Sequence, residues 1–132
     1  MTMNFHSASP ILRVADLQAS IDYFEKKLGF KLDWKHEDTF ASVSRLACNI
    51  MLSQGDQGNG KAWVYVGIGD ADRLFQEYQQ RGANIRQRPT NFYWAYEMQV
   101  EDLDGNVIRL GSEPKQDVPF GPWLDMHGKP WG

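Results

Sequence analysis

Residues Tyr93 to Gly111 read YWAYEMQVEDLDGNVIRLG, and this stretch decides the fold. It predicts two strands joined by a tight turn. Asp104-Gly105 supplies the turn, because glycine takes positive φ without steric cost and Asp tolerates it. Tyr96, Met98 and Val100 alternate with Glu97, Gln99 and Glu101, so an apolar row and a polar row face opposite ways. Val107, Ile108 and Leu110 give the second strand its β-branched and apolar character. A lone hairpin of this length is not stable in water, so the rest of the chain must cover the apolar row.

Upstream of the hairpin, Ala62 to Ile68 (AWVYVGI) predicts a strand. Asp70 starts a helix carrying Ala71, Leu74, Phe75 and Tyr78, and Gly82 closes it. Ala83 to Gln87 predicts a short strand and Pro89 to Asn91 a loop. The polar, glycine-rich run Gln54 to Gly60 (QGDQGNG) reads as a linker. Before it the same order occurs once already. Pro10 to Val14 predicts a strand, and Asp16 caps a helix with Leu17, Ile21, Phe24 and Leu28 on one face. Gly29 ends that helix, and strands follow at Phe30 to Glu37, Thr39 to Arg45 and Cys48 to Ser53. The spacing gives an internal repeat of about 54 residues, strand–helix–three strands, occurring twice. Module one spans residues 9–53, the linker 54–60, module two 61–112 and a tail 113–132.

The chain has 132 residues, a net charge of −3 and 42% hydrophobic residues, the composition of one globular domain. That charge, with no basic stripe, argues against a nucleic-acid partner. No apolar run has the length of a membrane span. The start, MTMNFHSAS, has neither a basic nor an apolar segment, so no secretory leader is expected. The single cysteine, Cys48, allows no intramolecular disulfide and fits a reducing cytoplasm. It has no cationic neighbour in sequence and reads as a packing residue. Of the five Trp, five Tyr and seven Phe many belong to the core, but Trp34, Trp63, Trp94 and Trp123 exceed what a core of this size needs, so some are expected to line a cavity or an interface.

The order of elements, together with LRVADL at residues 12–17, Tyr23-Phe24, Leu28-Gly29-Phe30, Arg81-Gly82-Ala83 and VEDLDGN at residues 100–106, resembles the vicinal oxygen chelate superfamily. That superfamily includes glyoxalase I, extradiol dioxygenases, and fosfomycin and bleomycin resistance proteins. The resemblance covers roughly residues 9–112. It implies an α+β fold of two βαβββ modules, whose curved mixed sheets surround a concave site, and a homodimer. Leu103 stands where the family commonly has Pro.

Metal-using members of that superfamily ligate a divalent ion with His, Gln or Glu on the first and last strands of each module. The matching positions here are Ser9, Met51, Trp63 and Arg109. Met and Trp are not ligands for a hard cation, Ser is a poor one, and Arg109 brings a fixed positive charge. His6, His36 and His127 form no ligand motif and read as exposed polar residues. The chain is therefore read as having no metal site and no cofactor. No nucleophile motif is present, and Glu97, Glu101 and Asp102 read as surface carboxylates rather than general bases, so no catalytic residue is assigned.

What remains resembles the bleomycin resistance branch, whose members bind a bulky cationic drug in a dimer crevice. The candidate ligand-binding residues are Trp34, Phe40, Trp63, Tyr65, Trp94, Tyr96 and Arg109, for stacking flat rings and meeting charge. The expected partner is a small aromatic or cationic ligand, such as an antibiotic held without chemistry. Arg109, if it points into the cavity, needs a partner such as Glu97. A glyoxalase-like lyase or isomerase with an atypical ligand set is the alternative. The tail, with four prolines but also Phe120 and Trp123, is too aromatic for a disordered segment and is expected to cover a sheet edge or a dimer contact, with a lid over the crevice as the alternative.

Overall fold

The computed structural model describes residues 3–130. Among them the chain forms β1 (Ile11–Arg13), α1 (Leu17–Lys26), β2 (Lys31–His36), β3 (Phe40–Arg45), β4 (Cys48–Ser53), β5 (Trp63–Gly67), α2 (Ala71–Arg81), β6 (Asn84–Asn91), β7 (Tyr96–Glu101) and β8 (Val107–Ser112). The first sheet has the order β1-β4-β3-β2 and the second β5-β8-β7-β6. The two orders are the same permutation, so the repeat read in the sequence is a repeat of topology. In each sheet the first strand pairs in parallel with the last, and the remaining pairs are antiparallel. No helix among the described residues is long and apolar enough to cross a membrane.

Both helices start and stop where short-range chemistry dictates. Asp16 accepts from Ala19 N at 3.0 Å and Asp70 from Arg73 N at 3.0 Å, each satisfying an orphan donor of the first turn. At the other end Gly82 has φ +76°, which lets Ala83 N return to Tyr78 O.

One core joins the modules. Leu12, Ala41, Val43, Ile50 and Leu52 from the helix-covered face of the first sheet cluster with Met98, Val100, Ile108 and Leu110 from the helix-covered face of the second. Phe24 and Tyr78 lie in the same cluster. The seam is also hydrogen-bonded. Tyr78 OH donates to Leu28 O at 2.9 Å, and Tyr23 OH donates to Glu101 O at 2.7 Å while accepting from Asn84 N at 2.9 Å. Arg45 grips Glu77 through two bonds of 2.8 and 2.7 Å.

The β7–β8 connection is longer than a two-residue turn. β7 ends at Glu101 and β8 starts at Val107, and Gly105, at φ +80°, takes the left-handed position. The residue that holds the loop is Asp102. Its Oδ1 accepts from Asp104 N at 2.9 Å and Asn106 N at 2.8 Å, and its Oδ2 accepts from Asn106 Nδ2 at 2.8 Å. Asp102 is buried, not a surface carboxylate, and burial raises its pKa against the pull of those three donors. The loop also reaches the first module: Asp104 Oδ1 accepts from Ala15 N at 2.9 Å, and Asn106 Nδ2 donates to Arg13 O at 3.3 Å.

One further expectation needs correction. β6 runs through Pro89 instead of giving way to a loop there, because it is an edge strand with register shifts, where a missing N–H breaks no ladder. The Gln54–Gly60 run between the modules carries no helix or strand and is held at two points: Gln54 Oε1 accepts from Leu17 N at 2.7 Å, and Gly58 O accepts from Arg13 Nη1 at 3.1 Å.

Candidate functional site

Because the helix-covered faces of the two sheets share one core, their other faces point away from each other. Each is an open sheet face, here called a cup. The first carries Ile11, Met51, Ser42 and Trp34 in one register row and Asn49 and Ser44 in the next. A register shift between Leu32 and Trp34 makes Asp33 an extra residue in the edge strand, and its Oδ2 accepts from Ser42 Oγ at 3.0 Å and Ser44 Oγ at 2.6 Å. Trp34 stacks on Phe40 with centroids 5.8 Å apart and stays 47% exposed.

The second cup is built from β5, β8, β7 and β6. Tyr65 pairs with Arg109, Arg109 with Gln99 and Gln99 with Gln87, in one row across the sheet. Arg109 Nε donates to Glu97 Oε2 at 2.8 Å and Nη2 donates to Oε1 at 2.9 Å. Glu97 Oε1 also accepts from Trp94 Nε1 at 2.6 Å. The Glu97 bonds hold the Arg109 pKa above its usual value, so its charge is permanent. Its guanidinium lies 5.3 Å from the Tyr65 ring centroid and 4.6 Å from that of Trp123. Arg86 repeats the pattern nearby, 4.9 Å from the Trp63 ring, donating to Gln99 Oε1 and 3.5 Å from the Glu101 carboxylate.

The polar row of β7 is therefore not a solvent face. Glu97 and Gln99 are each 1% exposed, because the arginines and the tail cover them. Burial, followed by the charge of Glu97, raises the Tyr65 phenol pKa. Gly111 lies under that phenol, and any side chain at position 111 would collide with it.

Of the residues singled out in the sequence, Trp63, Tyr65, Trp94 and Arg109 come together in the second cup, and Trp34 and Phe40 lie in the first. Tyr96 lies with neither. It follows the parity of Met98 and Val100 onto the helix-covered side, where its hydroxyl donates to Asp72 at 2.6 Å and Lys115 sits over its ring. Burial and that carboxylate raise its pKa to about 12. Asp33, Arg86 and Gln99 line the cups and were not picked out as site residues, whereas Glu97 was expected only as a partner of Arg109 and Trp123 only as one of the tryptophans in excess of the core. Arg86 and Trp123 left no trace in the alternation pattern, since one follows a bulge and the other lies outside the repeat. Glu97 and Gln99 were visible as the polar row, and their burial was not.

A cavity of about 600 Å³ lies away from both cups, between the β3–β4 turn and α2. Its walls include Phe30, Cys48, Val66 and Leu74, and its charged lining includes the already paired Arg45 and Glu77. Burial raises the Cys48 pKa, which makes it a poor nucleophile.

The positions that match the family's metal ligands do not fit a metal. Ser9 is half-buried ahead of β1, Met51 lies in the first cup, and Trp63 and Arg109 lie in the second. Arg109 commits its guanidinium to Glu97, the nearest carboxylate that a cation would need. Among the described residues no three His, Cys, Asp or Glu side chains converge as a ligand set.

Comparison with known proteins agrees with this architecture. A bleomycin-binding protein from the bleomycin producer Streptomyces verticillus, solved with copper(II)-bleomycin, superposes with a TM-score of 0.68 at 20% identity, over 86% of this chain and 100% of that one. An antibiotic-binding protein from Streptomyces sp. CB03234 gives 0.71 at 22% identity, over 87% of this chain and 100% of that one. Both likenesses establish the fold. The lactoylglutathione lyase of Escherichia coli O157:H7 is 28% identical over 120 residues, covering 78% of this chain and 89% of the lyase. The family profile of the Glyoxalase/Bleomycin resistance protein/Dioxygenase superfamily matches residues 5–110. With four-fifths of the sequence inside that match and both modules in place, the chain belongs to the glyoxalase/bleomycin resistance protein/dioxygenase superfamily.

Proposed function

We propose that this protein is a metal-independent small-molecule binder that sequesters a bulky aromatic or cationic compound, such as an antibiotic, in a crevice of a homodimer. One observation carries the reading. The position of the family's last ligand carboxylate holds Arg109, whose charge is consumed by buried Glu97 and by two aromatic rings. Such a position offers stacking and shape, not Lewis acidity. Trp63 and Tyr65, 38% and 50% exposed, leave aromatic surface open for a flat ligand. The antibiotic-binding proteins of the same fold support the ligand class.

Two cups that point away from each other cannot enclose one ligand within a chain. The closed crevice is made by module one of one protomer facing module two of its partner. Trp34 and Phe40 then meet Trp63, Tyr65 and Trp94 across the ligand. The test is titration of chelator-treated protein with metal-free bleomycin, with Trp34→Ala and Trp63→Ala as variants. Each substitution is expected to weaken binding about tenfold, the scale of one lost ring stack. Unchanged affinity in both would remove the cups from the site.

The second reading is a glyoxalase-like lyase or isomerase, favoured by the 28% identity to lactoylglutathione lyase. It requires a stoichiometric divalent metal and isomerisation of a glutathione hemithioacetal, both of which are direct assays. Ser9, Met51, Trp63 and Arg109 argue against it.

A further inference from the structure

The C-terminal tail enters the second cup, although it lies beyond the repeat. Asn91 anchors it, with Nδ2 donating to Lys115 O and Val118 O, each at 2.8 Å. Gly121 N donates to Asn91 O at 2.9 Å, and Gln87 Nε2 donates to Pro122 O at 3.4 Å. At Gly121 the tail lies so close to Thr90 that a side chain at position 121 would strike its methyl group. Covering the open edge of β6 needs no more than this.

From Pro122 the tail turns inward. Trp123 sits edge-on to Phe92 at 5.6 Å and to Trp94 at 5.2 Å, and the Arg109 guanidinium lies over its ring at 4.6 Å. Arg86 donates to Asp125 O. Asp125 Oδ1 then accepts from His127 N at 2.8 Å and Lys129 N at 2.9 Å, closing a small loop that fixes the carbonyl. Both arginines of the cup are thus engaged by the tail, one by a ring and one by a backbone oxygen. Trp123 remains half-buried, with part of its surface open.

We propose that Trp123 is a ligand-contacting residue, which with Tyr65, Trp94 and the Arg109 guanidinium forms a box selecting flat conjugated ring systems over aliphatic cations. The inference rests on the reading of the cup as a binding surface and names what that surface prefers. The Arg109 guanidinium, balanced by Glu97, packs on both Tyr65 and Trp123 and braces the rings whose remaining exposed surface is open for stacking. An aliphatic ammonium does not find the Glu97 carboxylate free, because it already accepts two bonds from Arg109 and one from Trp94. The tail supplies one wall of the box and the repeat supplies the others.

Proflavine, a flat aromatic cation, tests this by fluorescence anisotropy of the dye, with tetraethylammonium as the aliphatic competitor. The full-length protein is expected to bind proflavine saturably, and tetraethylammonium is expected not to compete. Trp123→Ala should weaken binding about tenfold, and Trp123→Phe should keep most of it. Gly121→Val, which keeps the indole but lifts the tail from Thr90, should weaken binding as Trp123→Ala does. Near-UV circular dichroism and Tm verify folding of each variant. Equal affinity in the parent, Trp123→Ala and Gly121→Val overturns the proposal, as does effective competition by tetraethylammonium. Absence of proflavine binding by the parent overturns it too. If metal-free bleomycin still binds in that case, the cup stands and only the box falls; if it does not, both fall.

Discussion

Arg109 reaches Glu97 diagonally across the second sheet: its register partner is Gln99, while Glu97 pairs with Gly111. The diagonal leaves Gln99 for Arg86 and places the Glu97 carboxylate under the arginine, with side-chain exposures of 23% for Arg109 and 1% for Glu97. Removing the arginine leaves a buried carboxylate with one donor. Arg109→Met is expected to destabilise the protein by about 3 kcal/mol, and Arg109→Met with Glu97→Gln by less than the single change. Urea unfolding midpoints at constant slope measure both. A double variant less stable than the single one would contradict the pairing.

Tyr96 and Tyr65 have opposite roles by parity. Tyr96→Phe should cost about 1 kcal/mol through loss of the Asp72 bond and leave ligand affinity unchanged. Tyr65→Ala should weaken ligand binding while costing little stability, since the ring is half exposed. Calorimetric titration of both variants separates the faces, and an affinity loss in Tyr96→Phe would contradict the assignment.

The Arg45–Glu77–Arg81 cluster makes the seam between modules pH-sensitive. Hydrogen bonding from Arg45 first, then from Arg81, holds the Glu77 pKa below its usual value. A carboxylate with a depressed folded pKa adds stability that is complete above its unfolded pKa, near 4.3, and lost as pH falls through the folded value. Glu77→Gln should cost about 1 kcal/mol at pH 7, and the difference from the parent should shrink as pH falls below the unfolded pKa and vanish only below the depressed folded one. A difference that does not shrink on acidification would show that packing, not charge, is at work.

Asp102 holds the β7–β8 loop, which ties the second module to Arg13 and Ala15 of the first. Asp102→Ala strands two backbone N–H groups and the Asn106 amide, and should cost about 2–3 kcal/mol. Thermal unfolding gives the result directly. A cost near zero would mean that the loop finds other partners.

The fold was legible because its determinants are local. Asp16 and Asp70 cap, Gly29 and Gly82 stop, and the alternation of β7 sets its register. The module order followed from the repeat. The cups were legible only in part, because alternation says which residues share a face and not what covers that face. Glu97 and Gln99 read as a polar row, with Glu97 the partner of an inward Arg109, but nothing local reveals that Arg109, Arg86 and the tail bury them. Tyr96 was grouped with Trp94 by closeness in sequence, although its parity with Met98 assigns it to the core side. Arg86 enters the cup through a register shift in β6, and bulges leave no periodic signal. Trp123 makes contacts far apart in sequence, which a tail of Pro and aromatics does not announce.

The orientation of the cups makes a prediction about chain mixing. If each crevice uses module one of one protomer and module two of the other, a heterodimer of Trp34→Ala and Trp63→Ala chains contains one intact crevice and one doubly altered. Purified heterodimer should recover parent affinity at half the parent stoichiometry, and an equal mixture reassembled at random at about a quarter. Recovery of no high-affinity site would place both halves of each crevice within one chain.

Metal independence is the central claim, and one titration addresses it most directly. Protein stripped with chelator is titrated calorimetrically with metal-free bleomycin, then again after addition of one equivalent of nickel or zinc. The account predicts saturable binding at micromolar or lower Kd in the stripped protein, unchanged by the metal. Binding that appears only with metal, or metal retained stoichiometrically through stripping, would contradict it.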